Sequence, residues 1–275
     1  MIKSVIFLFP VTAQNVCRTN NVNLTQKKTF QSSNYSNQGL VYVSDRAVDG
    51  NFSTCSNSEE ERNSWWTIDL KGVYKISCIS IYNKNATHSD ITGAQIFIGD
   101  LRQNNGLANT LVKNITKFRV EDKHNQYKFK PPVSGRYVTV RFSDNKPAVL
   151  CEVNITGTII ESPFQLIKQK KTWEEALYYC RYHHSNLASI LDNRSQAFAE
   201  LEAERADTPF VWLGIHYTCT LQFWFWVDGN VVQFHHFLQS SMTEDCDMSG
   251  AMHTREDYYW HKKSDYDEYN FICAL

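Results

Sequence analysis

Two acidic residues far apart in the chain raise the first chemical question. Asp49 stands in Asp49-Gly50-Asn51, and Glu152 follows Cys151. Calcium takes six to eight oxygens, many of them backbone carbonyls of a folded-back loop, with one or two carboxylates to offset its charge. Asp49 and Glu152 are carboxylates of that kind, provided that folding brings their segments together. The competing reading is that Asp-Gly-Asn is a plain turn and Glu152 a solvated acid at a strand end. His183-His184 and His235-His236 raise zinc, but adjacent histidines point in different directions and nothing supplies the remaining ligands, so they read as surface or loop residues. Glu244-Asp245 is an adjacent carboxylate pair whose members diverge on an extended chain. Gly-x-Ser-x-Gly, His-Glu-x-x-His and phosphate-loop patterns do not occur, so no enzyme is expected.

The elements that must hold these groups follow two different patterns. From Gln14 to about Ser162, short β-branched and aromatic runs such as VYKISCISIYN, AQIFIGD, QYKFKPP, GRYVTVRF and LCEVNITGTII alternate with Asn, Ser, Gly and Pro. This spacing predicts an all-β sandwich. In GRYVTVRF, Tyr137, Thr139 and Arg141 alternate with Val138, Val140 and Phe142, the period of a half-buried strand. The doublet Trp65-Trp66 opens another strand, WWTIDL, and is expected to bury an indole. After Ser162-Pro163 the pattern changes: Trp173, Ala176, Leu177 and Cys180 fall at helical spacing behind a Thr172 cap with Glu175 three residues on. A second helix is expected in NRSQAFAELEAERA, followed by the strands WLGIHY, LQFWFWVDGN and YNFICAL.

Bulk properties limit the partners. A chain of 275 residues with 42% hydrophobic content is long enough for two cores. With 28 Lys and Arg against 29 Asp and Glu, the formal charge of -1 supplies no general drive toward nucleic acid. Residues 1–13 read as a short secretory signal, and no later run has the roughly 18 apolar residues of a membrane span. Eight cysteines without Cys-x-x-Cys favour disulfides over zinc. Sequons at Asn23, Asn34, Asn51, Asn85, Asn114, Asn154 and Asn193 agree with a secreted, extracellular glycoprotein. The expected layout is a signal over 1–13, a β-sandwich over 14–162 and an α+β domain over 163–275.

VNLTQKKTFQSS, RAVDGN, SWWTIDL, ITGAQIFIGD, GRYVTV and LCEVNI, in this order, resemble the F-type lectins, the fucolectins of the tachylectin-4 group. The resemblance implies a discoidin-like jelly-roll sandwich with calcium near one end of this first domain only. At the matching positions the calcium ligands are carbonyls or side chains of Arg46, Asp49, Asn51, Thr54, Cys151 and Glu152, with a Cys55–Cys151 disulfide tying the segments. The family's sugar contacts are one His and two Arg, and these fall on Asn57, Lys84 and Asp90, while the Asp of the motif falls on Ala86. Lys84 keeps a charge without the planar fork of an arginine, and Asp90 puts an acceptor where a cation is needed. Fucose binding in the usual mode is not expected; a shifted site from Lys84, His88 and Asp90 stays open.

WEEALYYCR, FVWLGI, FWFWVDGN, the EDC segment and the terminal FIC resemble the C-type lectin-like domain. That resemblance implies a Cys180–Cys273 bridge, whose long loop is worth roughly 4 to 5 kcal/mol in the chain-entropy model. Cys219–Cys246 is the preferred second pair, and Cys17 and Cys78 are left either paired or free. HHFLQSSMTEDC and YYWHKKS lack the family's calcium motifs, so ligand contacts are expected from the loop between Phe234 and Trp260 and from Trp260, His261 and Lys262. The resulting expectation is a secreted lectin-like recognition protein of innate defence, with glycans or glycoproteins as partners, fucosylated ones included, and homo-oligomer formation left open. The alternative is a protein-protein recognition module on two drifted lectin folds.

Overall fold

The computed structural model describes residues 17, 20–123, 125–238, 246–255 and 257–275. The expected signal over 1–13 and the Glu244-Asp245 pair lie outside them. The chain divides into two compact units, one of residues up to Leu70 with Tyr74–Ile159, the other of Lys71–Val73 with Ile160–Leu275.

The strands of the first unit are β1 (Lys28–Gln31), β2 (Ser36–Asn37), β3 (Leu40–Val41), β4 (Ser56–Asn57), β5 (Trp65–Tyr82), β6 (Gln95–Gly99), β7 (Thr110–Asn114), β8 (Gln126–Arg141), β9 (Val149–Leu150) and β10 (Glu152–Ile159). Its main sheet is antiparallel in the order β1-β5-β8-β6-β7, with β10 also on β5, and β2-β3 and β4-β9 form two-stranded pairs. QYKFKPP and GRYVTVRF, read as separate strands, are one strand. Ile76 pairs with Val133 and Cys78 with Lys128, so the bulge between these pairs takes up Pro131 and Pro132, which cannot donate to a ladder.

WWTIDL lies at the start of β5, where Trp66 is fully buried and its Nε1 donates to the Ser44 carbonyl at 2.9 Å. Around it Ile68, Leu70, Ile79, Ile96, Val138 and Val140 form the core. The alternation in the GRYVTV part of β8 does not leave a wet face: Tyr137 and Thr139 are buried like Val138 and Val140. Thr139 Oγ1 meets Thr67 Oγ1 at 2.7 Å and donates to the Asn105 carbonyl, so polar partners inside the fold replace water. Arg136 and Asp69 form a buried bidentate pair, Nε and Nη2 each 2.8 Å from a carboxylate oxygen. Cys17–Cys78 and Cys55–Cys151 are disulfides.

The second unit contains β11 (Phe164–Lys171), α1 (Trp173–His183), β12 (Asn186–Leu187), α2 (Asn193–Ala203), β13 (Phe210–Thr218), β14 (Phe223–Trp226), β15 (Met248–His253), β16 (Trp260–Ser264) and β17 (Tyr269–Ala274). Helix α1 starts at the capping box of Thr172 and Glu175, and α2 at one of Asp192 and Ser195. The sheet order is β11-β17-β13-β15-β16, with β13 and β17 parallel. Cys180–Cys273 ties α1 to β17, and Cys219–Cys246 closes the second bridge. All eight cysteines are therefore paired.

Candidate functional site

The end of the first unit where β10 begins gathers most of the acid and oxygen chemistry expected from the sequence. Trp66 holds the 3-10 turn Ser44–Ala47 through the Ser44 carbonyl, and the chain then enters Asp49-Gly50-Asn51 with Gly50 at φ +77°. Glycine adopts that left-handed conformation without strain, and it aims the Gly50 N–H at Glu152 Oε2, 3.1 Å away. Asp49 Oδ1 accepts from the Asn51 N–H at 2.8 Å, and the Thr54 hydroxyl lies 2.6 Å from Asp49 Oδ2 and 2.9 Å from the Asn51 carbonyl. One residue on, Cys55 is bonded to Cys151, which places Glu152 against the loop. The Arg46 guanidinium lies over the Tyr42 ring at 5.1 Å; an arginine side chain has no oxygen, so only the Arg46 main-chain carbonyl can be a ligand.

Glu152 is only 5% exposed. Burial pushes its carboxyl up to about 7, the negative charge of Asp49 adds to the rise, and the Gly50 N–H opposes it. Two carboxylates that repel one another, one of them buried and with few donors, form a surplus of hard oxygen. That donor set fits a calcium ion, for which Asp49 and Glu152 would be the charged ligands and Asn51, Thr54, Cys151 and Arg46 would offer neutral oxygens. Among the described residues, no group of three or more His, Cys, Asp or Glu gathers as a metal cluster; carbonyls and amides would complete this set.

The candidate sugar positions are distributed unevenly around this loop. Lys84 is exposed, its Nζ donates to the Ser53 carbonyl at 2.8 Å, and its N–H reaches Cys151 Sγ at 3.4 Å. Asp90 accepts the Thr92 N–H at 2.8 Å. Its charge adds to the burial that pushes the Tyr127 phenol up to about 12. Asn57 is held in β4, its backbone N–H on the Tyr42 carbonyl and its carbonyl on the Tyr35 N–H, and its side-chain oxygen is buried without a partner. His88 is exposed in a left-handed turn at φ 62°. The fold thus brings Lys84 to the loop and commits Asp90 to its own turn.

Residue spacing gave no sign of an aromatic floor beside the loop. Tyr82 ends β5 opposite Glu152, and Phe52 from the loop meets it edge to face with centroids 4.9 Å apart. The Lys123 ammonium stands 4.1 Å over the Phe52 ring. Phe52 is the middle residue of a sequon and Lys123 belongs to no motif, so only the folded contact identifies them.

In the second unit the expected role of Trp260 is overturned. Trp260 is fully buried, donates Nε1 to Gln196 Oε1 at 3.0 Å and packs against Trp226 at 5.4 Å, so it cannot stack on a ligand. Part of HHFLQSSMTEDC, residues 239–245, lies outside the described residues. Among the histidines of the pairs, His183 packs on Tyr179 at 4.4 Å and His236 on Tyr259 at 4.9 Å. A recess of about 620 Å³ opens beside the β13–β14 hairpin, lined by Tyr217, Leu221, Phe223, Trp224, Val231 and the Cys219–Cys246 bridge.

Comparison with known proteins settles the family of this arrangement. Over 174 residues the chain is 30% identical to fucolectin-1 of Anguilla japonica, covering 58% of this chain and 97% of that protein. The chain belongs to the fucolectin family. Fucolectin-3 of the same eel is 29% identical, over 56% of this chain and 94% of its own length. Residues 46–140 match the NedA-like, galactose-binding domain, and residues 169–275 match the lectin C-type domain. Among solved structures, an F-lectin (fucolectin) from striped bass (Morone saxatilis) serum is 30% identical with a TM-score of 0.47, the match spanning 58% of this chain and 59% of that one. The protein therefore joins an F-type lectin domain of discoidin-like fold to a C-type lectin-like domain, and both are carbohydrate-binding folds of non-catalytic families.

Proposed function

We propose that this fucolectin is a secreted recognition protein of innate defence that binds glycans at the β10 end of its first domain, with a calcium ion clipping the loop 49–55 to Glu152. The observation that carries the reading is the facing of Asp49 and the buried Glu152 across the Gly50 N–H, beside the Cys55–Cys151 bridge. When bound, calcium would supply positive charge that neutralises the two carboxylates. Asp49, Asn51, Thr54, Cys151, Glu152 and the Arg46 carbonyl would hold it. The chain itself then presents Lys84, Phe52, Tyr82 and Lys123 on the rim of the fixed loop.

The second domain contributes recognition that does not use calcium, since its sequence lacks the family's calcium motifs. Four disulfides agree with an extracellular setting, and among the described residues no helix is long and apolar enough to cross a membrane. The testing experiment is a glycan array probed with the purified chain in calcium and in chelator. Calcium-enhanced binding to a set of glycans is expected. An array blank in both conditions would transfer the argument to protein-protein recognition, and hydrolysis of any bound glycan would overturn the non-enzymatic reading.

A further inference from the structure

The rim beside the loop combines a half-exposed aromatic ring with two cations that have no acidic partner among the described residues. Phe52 is 36% exposed and rests edge-on against Tyr82. The part of the ring that Tyr82 and Lys123 leave uncovered offers apolar contact to the C–H groups of a pyranose. Lys123 stands over that ring at 4.1 Å and over Tyr82 at 5.9 Å, and the turn carrying it is fixed by the Glu121 N–H on the Asn83 carbonyl at 2.8 Å. Lys84 reaches the same loop through the Ser53 carbonyl at 2.8 Å. Both lysines are exposed, and among the described residues neither ammonium meets a carboxylate within ion-pair distance.

Of the acids nearby, Asp49 and Glu152 are the carboxylates assigned to calcium above, and two others have partners of their own. Asp90 accepts from Thr92, and Asp122, next to Lys123, lies 3.7 Å from Arg119. A neutral sugar would leave two ammonium groups beside it without a charged acceptor. An ammonium is a point charge with three donors and lacks the fork of a guanidinium, so it gains most from a compact anion such as carboxylate or sulfate. We propose that this site selects acidic saccharides, with the sugar ring on Phe52 and its carboxylate or sulfate between Lys84 and Lys123. This rests on the glycan-binding reading above and adds the ligand class.

The test uses the full chain and a matched pair, galactose 6-sulfate and galactose, titrated by calorimetry in calcium, next to a glycan array that includes sulfated, sialylated and neutral members. At 50 mM salt the sulfated sugar should bind at least about tenfold tighter, and the ratio should fall below about threefold at 0.5 M salt as screening shortens the reach of exposed charges. Lys84→Gln and Lys123→Gln should each lower the ratio severalfold at unchanged melting temperature, and Lys123→Arg should retain most of it. Equal binding of both sugars, with array hits spread evenly over neutral and acidic glycans, overturns this inference and leaves glycan binding intact. A blank array and no heat with either sugar overturns the underlying reading as well.

Discussion

Calcium binding at the first domain should be proton-linked through Glu152, and the size of the effect follows from the site. Burial and Asp49 hold the Glu152 carboxyl at about 7, while calcium requires it ionised. Below that value each pH unit should weaken calcium about tenfold. At pH 5.5 the apparent affinity should be roughly 30-fold lower than at pH 8, equivalent to about 2 kcal/mol. In chelator the dependence has the opposite sense. A carboxyl raised in the folded state contributes stability that is fully present below its unfolded value of 4.5 and is lost as pH rises through about 7. The metal-free domain should therefore be less stable at pH 7.5 than at pH 5, and the calcium-saturated domain should not.

The assay is calcium titration by calorimetry at several pH values, with melting temperatures in calcium and in chelator, on wild type and Glu152→Gln. Saturation at a hundred times the dissociation constant should stabilise wild type by about 2.7 kcal/mol. Glu152→Gln keeps an oxygen and loses the proton, so it should weaken calcium, flatten the pH profile between 5.5 and 8, and melt no lower than wild type in chelator at pH 7.5. A wild-type dissociation constant independent of pH, or a Glu152→Gln chain that melts well below wild type in chelator, would refute the reasoning.

Three further outcomes are expected. Arg136→Ala leaves the buried Asp69 carboxylate without its bidentate partner, and denaturant unfolding should show a loss of about 3 to 5 kcal/mol; a loss below 1 kcal/mol would show that water replaces the guanidinium. Trp260→Ala should cost about 3 to 5 kcal/mol because the indole is buried, and any ligand affinity of the second domain, measured well below its melting temperature, should be unchanged. Asn85 is exposed and adjacent to Lys84, so Asn85→Gln in a chain made by a glycosylating host should raise glycan binding. Equal binding with Asn85 occupied, as read by mass spectrometry, would show that a glycan there leaves the site open.

What could be read from the sequence was chemistry that acts over a few residues. The Thr172 and Glu175 capping box is visible because cap and partner are three positions apart, and the folded chain makes both of its hydrogen bonds. The two-domain lectin layout was visible because many short matches occur in order. Contacts set by strand register were not. Asp69 and Arg136 are remote in sequence, and nothing local marks a strand aspartate as buried. The alternation in β8 suggested a wet face because a period of two reports two faces without saying what covers them; Thr67 and Asn105 cover one of them here. Trp260 read as a ligand platform because aromatic residues serve as core and as binding surface alike, and its burial decided the matter.

The Trp65-Trp66 doublet shows how a frame residue determines the site without touching a ligand. Trp66 is buried, yet its indole N–H fixes the Ser44 carbonyl and so the turn that leads into Asp49-Gly50-Asn51. At the other end of the same strand, Tyr82 stands opposite Glu152 and carries Phe52 on its ring. One strand therefore supports the entrance of the acidic loop at its start and the aromatic floor at its finish. Neither end of that support runs through the candidate sugar positions Asn57, Lys84 and Asp90. The frame can thus persist through changes at the candidate sugar positions, since the Trp66–Ser44 contact and the Cys55–Cys151 bridge that set the loop involve none of them.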